Sequence, residues 1–141
     1  MQPVAVVPKS DAPPRRRRIL AIDDDDALLD MLVLLLSQEH LDFRVACGGQ
    51  AGLDLAMAWD PDLILLDLAM PDLDGAAFVE RYRMATRFPA PIVLLTGAKD
   101  GLAQATELGV TMFLTKPFDL GVLVEVVDAY AWRTDSDTAV G

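Results

Sequence analysis

Four consecutive aspartates, Asp23 to Asp26, follow the apolar run Ile19-Leu20-Ala21-Ile22, and Asp67 follows a second such run, Leu63-Ile64-Leu65-Leu66. Two later apolar runs end at Thr96 and at Lys116-Pro117. Carboxylates crowded into an apolar setting cannot all stay ionised without a compensating charge. A hard divalent cation supplies one, and magnesium typically takes one or two carboxylates, keeps several waters and bridges to phosphate oxygens. Asp23 or Asp24 together with Asp67 makes such a donor set. A carboxylate beside the ion can act as a nucleophile toward phosphorus and become an acyl phosphate. That transfer needs mainly positioning and neutralised phosphoryl oxygens. Lys116 offers an ammonium for this and Thr96 a hydroxyl.

Each of these residues also has a plainer role. Asp25 or Asp26 is expected to cap the next helix, because Asp suits an N-cap and the positive helix end. Strand-end lysines are usually solvated, and strand-end threonines are common. The four aspartates alone would pass for a solvated turn. Asp67, at the exit of a second strand, weighs against that reading.

The elements that must position these groups alternate along the chain. Short, wholly apolar runs bounded by turn residues predict strands at about 18–22, 43–46, 63–66, 91–95 and 112–115. Helices are expected at about 26–38, 49–59, 75–85, 101–108 and 119–132, with breaks at Asp60-Pro61 and Asp72-Leu73-Asp74-Gly75 and a C-cap at Gly109. Five βα units with right-handed crossovers give an α/β, flavodoxin-like doubly wound sandwich with a five-stranded parallel sheet, order 2-1-3-4-5. Its switch point lies between strands 1 and 3, where the aspartates stand. The domain is expected over 18–133, between a disordered tail at 1–17 and a flexible tail at 134–141.

The bulk numbers narrow the class. The 141 residues suit one domain with a proper core. The net charge of −10 divides into +4 over residues 1–18 and −14 over the remainder. So acidic a body argues against nucleic-acid binding, which depends on clustered Lys and Arg. One cysteine, Cys47, rules out an internal disulfide and fits a reducing compartment. The Val4–Val7 patch is too short for a signal-peptide core, and no run could span a bilayer. The cytoplasm is the expected location.

The motifs Ile-Leu-Ala-Ile-Asp-Asp-Asp at 19–25, Asp-Leu-Ala-Met-Pro-Asp-Leu-Asp-Gly at 67–75, Leu-Leu-Thr-Gly at 94–97 and Phe-Leu-Thr-Lys-Pro-Phe at 113–118 stand in order. From about Ile19 to Trp132 the chain resembles a receiver domain of the two-component (phosphorelay) response-regulator family, of the single-domain, chemotaxis-receiver type. The resemblance implies Asp67 as phosphoacceptor and Asp23 with Asp24 as the acid pair for Mg²⁺, with Mn²⁺ the alternative ion. Asp24 would be the direct ligand, Asp23 would act through water, and the backbone carbonyl of Ala69 would complete the shell with Asp67. Lys116 would contact the phosphoryl group, and its bond to Pro117 would be cis. Thr96 would swing toward the phosphate and Phe113 would rotate inward behind it, converting a charge event into a new surface. The donor would be a histidine kinase or histidine phosphotransfer protein. The output would be a downstream protein target or homodimer through the helix 4–strand 5–helix 5 face, with no nucleic acid or membrane bound by this domain.

Two departures from the family pattern bear on the phosphorylated lifetime. The stretch from Thr96 to Lys116 is about two residues short, and Ala69 and Ala98 stand where many relatives carry longer or polar side chains. Val122, Val126 and Ala129 lie off the core stripe of the fifth helix, and Val33 and Leu34 off that of the first. These are read as partner surfaces, against the plainer alternative of a wide core stripe. Arg15–Arg18 reads as a solvated tail, His40 lies in no motif, Cys47 is a small packed or turn residue, and Trp59 and Trp132 are edge packing.

Taken together, the residues and the resemblance predict a phosphorylation-activated switch that signals through changed protein contacts and is not a metabolic enzyme, its chemistry limited to its own phosphorylation and dephosphorylation. With nine residues after Trp132, a stand-alone receiver is expected. A non-phosphorylated receiver-like scaffold is the nearest rival. A haloacid-dehalogenase-type phosphatase is remote, because it needs an acidic pair after the lysine and Asp119 stands alone. A nucleotide-binding module fails for want of a glycine-rich loop after strand 1.

Overall fold

The computed structural model describes residues 16–37, 41–97, 99–110 and 112–140, the last ten by backbone alone. The elements are β1 (Arg17–Asp23), α1 (Asp26–Leu36), β2 (Leu41–Cys47), α2 (Gly49–Trp59), β3 (Leu63–Asp67), α3 (Gly75–Ala85), β4 (Ile92–Thr96), α4 (Gly101–Leu108), β5 (Met112–Thr115) and α5 (Leu120–Val140). All four strand pairings are parallel, in the order β2-β1-β3-β4-β5. This is the flavodoxin-like sheet that the alternation of apolar runs predicts.

Residue parity sorts the strand side chains onto two cores. Leu20, Ile22, Ile64, Leu66, Ile92 and Leu94 pack with Ala56, Trp59, Phe78, Val79, Tyr82 and Ala105 from α2, α3 and α4. Ile19, Ala21, Leu63, Leu65, Val93 and Leu95 pack on the other face with Leu29, Leu32 and Leu36 of α1 and Leu123, Val126 and Val127 of α5. Each fully buried aliphatic side chain contributes about 1.5–3 kcal/mol of transfer free energy. A continuous apolar run is therefore what a strand covered on both faces requires.

Three expectations need correction. Val126 is not a partner surface: it is 9% exposed and belongs to the core between α5 and the sheet. The stripe of α5 is wider than a narrow reading of its periodicity allows, with Leu123, Val126 and Val127 all in the same core. Arg17 and Arg18 are not a solvated tail. They open β1, where the Arg18 amide donates to Asp62 at 2.8 Å and its guanidinium to the Trp59 carbonyl. Trp59 is itself buried, with the Arg44 guanidinium 4.6 Å from its ring centre. Third, α5 runs on through Val140, past the end expected near 132. Val122 (42% exposed), Leu34 (84% exposed) and Ala129 do face outward, and Val33 is half-buried. Residues 1–15, His40, Ala98 and the Trp132 side chain lie outside the described residues.

Candidate functional site

The register brings the acids together. Ile22 pairs with Leu66, so Asp23 and Asp67, each the next residue on, end their strands side by side. Asp67 is level with Leu95 on β4, and Thr96 with Thr115 on β5. The Lys116 amide donates to the Thr96 carbonyl at 2.7 Å, which fixes the lysine backbone beside β4. Asp23, Asp67 and Thr96 are the buried polar residues among the described ones, and all three end strands at the same edge of the sheet. Burying polar groups costs free energy unless they are paired, so their concentration at one place marks it for chemistry.

The carboxylates have specific partners. The Asp23 side chain accepts from the Asp25 amide at 3.0 Å and from the Lys116 ammonium at 2.8 Å. Lys116 also reaches Asp67 at 3.3 Å. The Ala69 amide donates to the Asp67 carboxylate. Burial, and then the charge of Asp23, push the Asp67 carboxyl above its ordinary range, and Lys116 counteracts only part of this. Burial works against the charge on Lys116, but the hydrogen bond and charge of Asp23, followed by Asp67, hold its pKa above the usual value.

Asp23, Asp24 and Asp67 each offer an oxygen, and these atoms lie within 4.8 Å of one another. Asp24 is exposed while the other two are buried, so the cluster opens to solvent on one side. Three hard oxygen donors around a buried acid whose ionisation is disfavoured fit a small divalent cation. Asp25 is the residue that caps α1, accepting from the Leu28 amide at 3.2 Å, which leaves Asp24 to the cluster.

The remaining predicted positions lie around this centre. The Lys116–Pro117 peptide is cis. Phe113, half-buried, lies against α4: a Cβ on Gly101 would stand 2.6 Å from its ring and 3.1 Å from the Thr96 methyl. Cys47 is exposed, its thiol 3.8 Å from the Asp24 carbonyl. Two contributors have no role assigned from the sequence, Gln104 outside the motifs and Asp72 within the 67–75 motif. Gln104 accepts the Thr96 hydroxyl at 3.1 Å, a contact across the β4–α4 connection that spacing does not reveal. Asp72 accepts the amides of Gly49 and Gln50, each at 3.0 Å, and so caps α2 from the loop after β3. In the sequence it reads as one residue of a turn.

Known proteins resemble this chain in sequence and fold. The family profile described as "Response regulator receiver domain" matches residues 19–128. The DNA-binding dual master transcriptional regulator RpaA of Synechocystis sp. is 38% identical over 109 residues, 75% of this chain. A protein-glutamate methylesterase/protein-glutamine glutaminase of Treponema pallidum is 42% identical over 77 residues, 52% of this chain. The chain spans 45% of the first relative's length and 19% of the second's. The solved receiver domain of the Francisella response regulator 1452 superposes with a TM-score of 0.76 at 26% identity, covering 84% of this chain and 99% of that one. No helix among the described residues is long and apolar enough to cross a membrane. The parallel sheet, the acid cluster at its switch point and these likenesses agree: the chain belongs to the response regulator receiver domain family.

Proposed function

We propose that this receiver takes a phosphoryl group from the phosphohistidine of a kinase or phosphotransfer protein onto Asp67, with Mg²⁺ required, and signals by altered protein contacts. The observation that carries this reading is the setting of Asp67, buried, beside Asp23 and Asp24, and 3.3 Å from an ammonium. When bound, Mg²⁺ would neutralise the acids and the phosphoryl oxygens. Asp23, Asp24 and Asp67 would hold it, with the Ala69 carbonyl as a further ligand. An Asp67 carboxylate oxygen attacks phosphorus, the O–P bond forms, and the N–P bond breaks with its electron pair passing to the imidazole. Lys116 stays on the charge that moves, and Thr96 donates its hydroxyl to a phosphoryl oxygen. Phe113 then packs inward toward the space beside Thr96.

Two surfaces fit the partners. A groove of about 300 Å³ beside the site is lined by Leu28 and Met31 of α1 and by Lys116, Pro117 and Phe118. With exposed Leu34 and half-buried Val33 it suits the phosphodonor. Val122 and Ala129 of α5, Leu102 of α4 and Met112 of β5 are exposed and would supply the apolar contacts to a downstream target or a second copy.

Incubation with acetyl phosphate and Mg²⁺ tests the reading. The intact mass should rise by one phosphoryl group, and Asp67→Asn or EDTA should abolish the gain. Labelling that persists in Asp67→Asn refutes Asp67 as acceptor, and labelling that persists in EDTA refutes the metal requirement.

A further inference from the structure

Thr96 is gripped by a helix that the motif pattern does not include. Its Oγ1 donates to the Gln104 side-chain oxygen at 3.1 Å. Gln104 is half-buried in α4, and its own amide donates to the Asp100 carbonyl at 3.0 Å, so the helix backbone fixes where its side chain starts. The first turn of α4 approaches Thr96 from the methyl side. Gly101 lies so close to Thr96 and Phe113 that a Cβ there would stand 3.1 Å from the Thr96 methyl and 2.6 Å from the Phe113 ring. One helix thus meets both ends of the Thr96 side chain, through a glycine and a glutamine three residues apart.

A threonine hydroxyl has one proton to donate. Thr96 gives it to Gln104 or to a phosphoryl oxygen on Asp67, and not to both. We propose that Gln104 is a positioning residue that restrains Thr96 in the unphosphorylated receiver, so that α4 sets how readily the phosphorylated form is populated. This rests on the reading that Thr96 turns toward a phosphoryl group on Asp67. The Thr96–Gln104 bond stabilises the resting arrangement alone, so its loss favours the phosphorylated one. A hydrogen bond of ordinary net strength corresponds to a shift of about fivefold.

The experiment is calorimetric titration of the full chain with beryllofluoride, a phosphoryl mimic, at saturating Mg²⁺. Gln104→Leu should lower the half-saturating concentration about fivefold. Gln104→Glu keeps an acceptor for the hydroxyl and should not lower it. In a Thr96→Ala background, Gln104→Leu should have no further effect, because the cycle removes the group through which it acts. An unchanged titration for Gln104→Leu, or an equal drop in the Thr96→Ala background, overturns the role of Gln104 while leaving Asp67 as acceptor. If the unsubstituted chain gives no beryllofluoride response, the receiver chemistry falls, and this proposal with it. A measurement that needs no variant guards against misfolding. The Gln104 side-chain amide resonances and the Thr96 methyl should both shift on beryllofluoride saturation, and stationary Gln104 resonances overturn the proposal.

Discussion

Lys116 donates to Asp23 at 2.8 Å, a shorter contact than the 3.3 Å it makes to Asp67. The ammonium therefore neutralises Asp23 as well as Asp67. Asp23 is wholly buried and Lys116 is its charged partner, so the lysine stabilises the site before any ligand arrives. Removing one member of such a pair leaves a buried charge uncompensated.

Lys116→Met should accordingly lower Tm by about 5 °C or more at pH 7 in EDTA, with Mg²⁺ restoring part of the loss. The lysine pKa is raised in the fold, so the folded chain holds this proton more tightly than the unfolded one. Its contribution is complete below the ordinary value of 10.5 and is lost as pH climbs through the folded value above it. Thermal melts from pH 8 to pH 12 should show the gap between the two proteins closing at the alkaline end. A constant gap would place the stabilisation elsewhere.

Asp67 shares that pH slope but acts against the fold at neutral pH. Its carboxyl is raised above the ordinary 3.8 by burial and then by Asp23, so at neutral pH its ionisation weakens the fold, and the cost fades as pH falls toward 3.8. Asp67→Asn should raise Tm by about 3 °C at pH 7 in EDTA, with the advantage shrinking near pH 4. A lowered Tm would mean that the ion pair with Lys116 outweighs burial.

Asp24 is the exposed member of the cluster and should matter for the ion far more than for stability. Asp24→Ala should leave Tm in EDTA nearly unchanged. It should weaken Mg²⁺ binding by more than the roughly tenfold typical of losing an outer-shell partner, as read by calorimetry. Undiminished affinity would remove Asp24 from the donor set.

Val122 and Val126 lie one turn apart on α5 with opposite exposures. Val126→Glu should cost about 3 kcal/mol or more in urea denaturation, because a carboxylate would enter the apolar core without a partner. Val122→Glu should stay within about 0.5 kcal/mol. Equal costs would show that the α5 stripe is misassigned.

The sequence makes the sheet and the meeting of its strand-end residues legible for a definite reason. Strands buried on both faces leave unbroken apolar runs, and a parallel sheet puts the residue after each run at one edge. Asp23, Asp67 and Thr96 can thus be placed in one cleft without coordinates. Val126 escapes such a reading because periodicity marks the centre of a helical stripe and not its width. Arg18 escapes it because a strongly basic run looks solvated until Asp62 and Trp59 are known to lie beside it. Gln104 and Asp72 act across connections between elements, where local spacing carries no information.

The loop after β3 has its own mooring. Asp72 binds the first two amides of α2, the Gly75 amide donates to the Leu68 carbonyl at 2.9 Å, and at Gly49 a Cβ would strike the Leu73 carbonyl oxygen at 2.0 Å. The chain just downstream of Asp67 is thereby moored to the start of α2. On the proposed reading, rearrangement around a phosphorylated Asp67 would meet this moored loop on one side and the exchangeable Thr96–Gln104 bond toward β4 and β5 on the other. An aspartate outside the acid cluster would thus set the direction in which the receiver gives way.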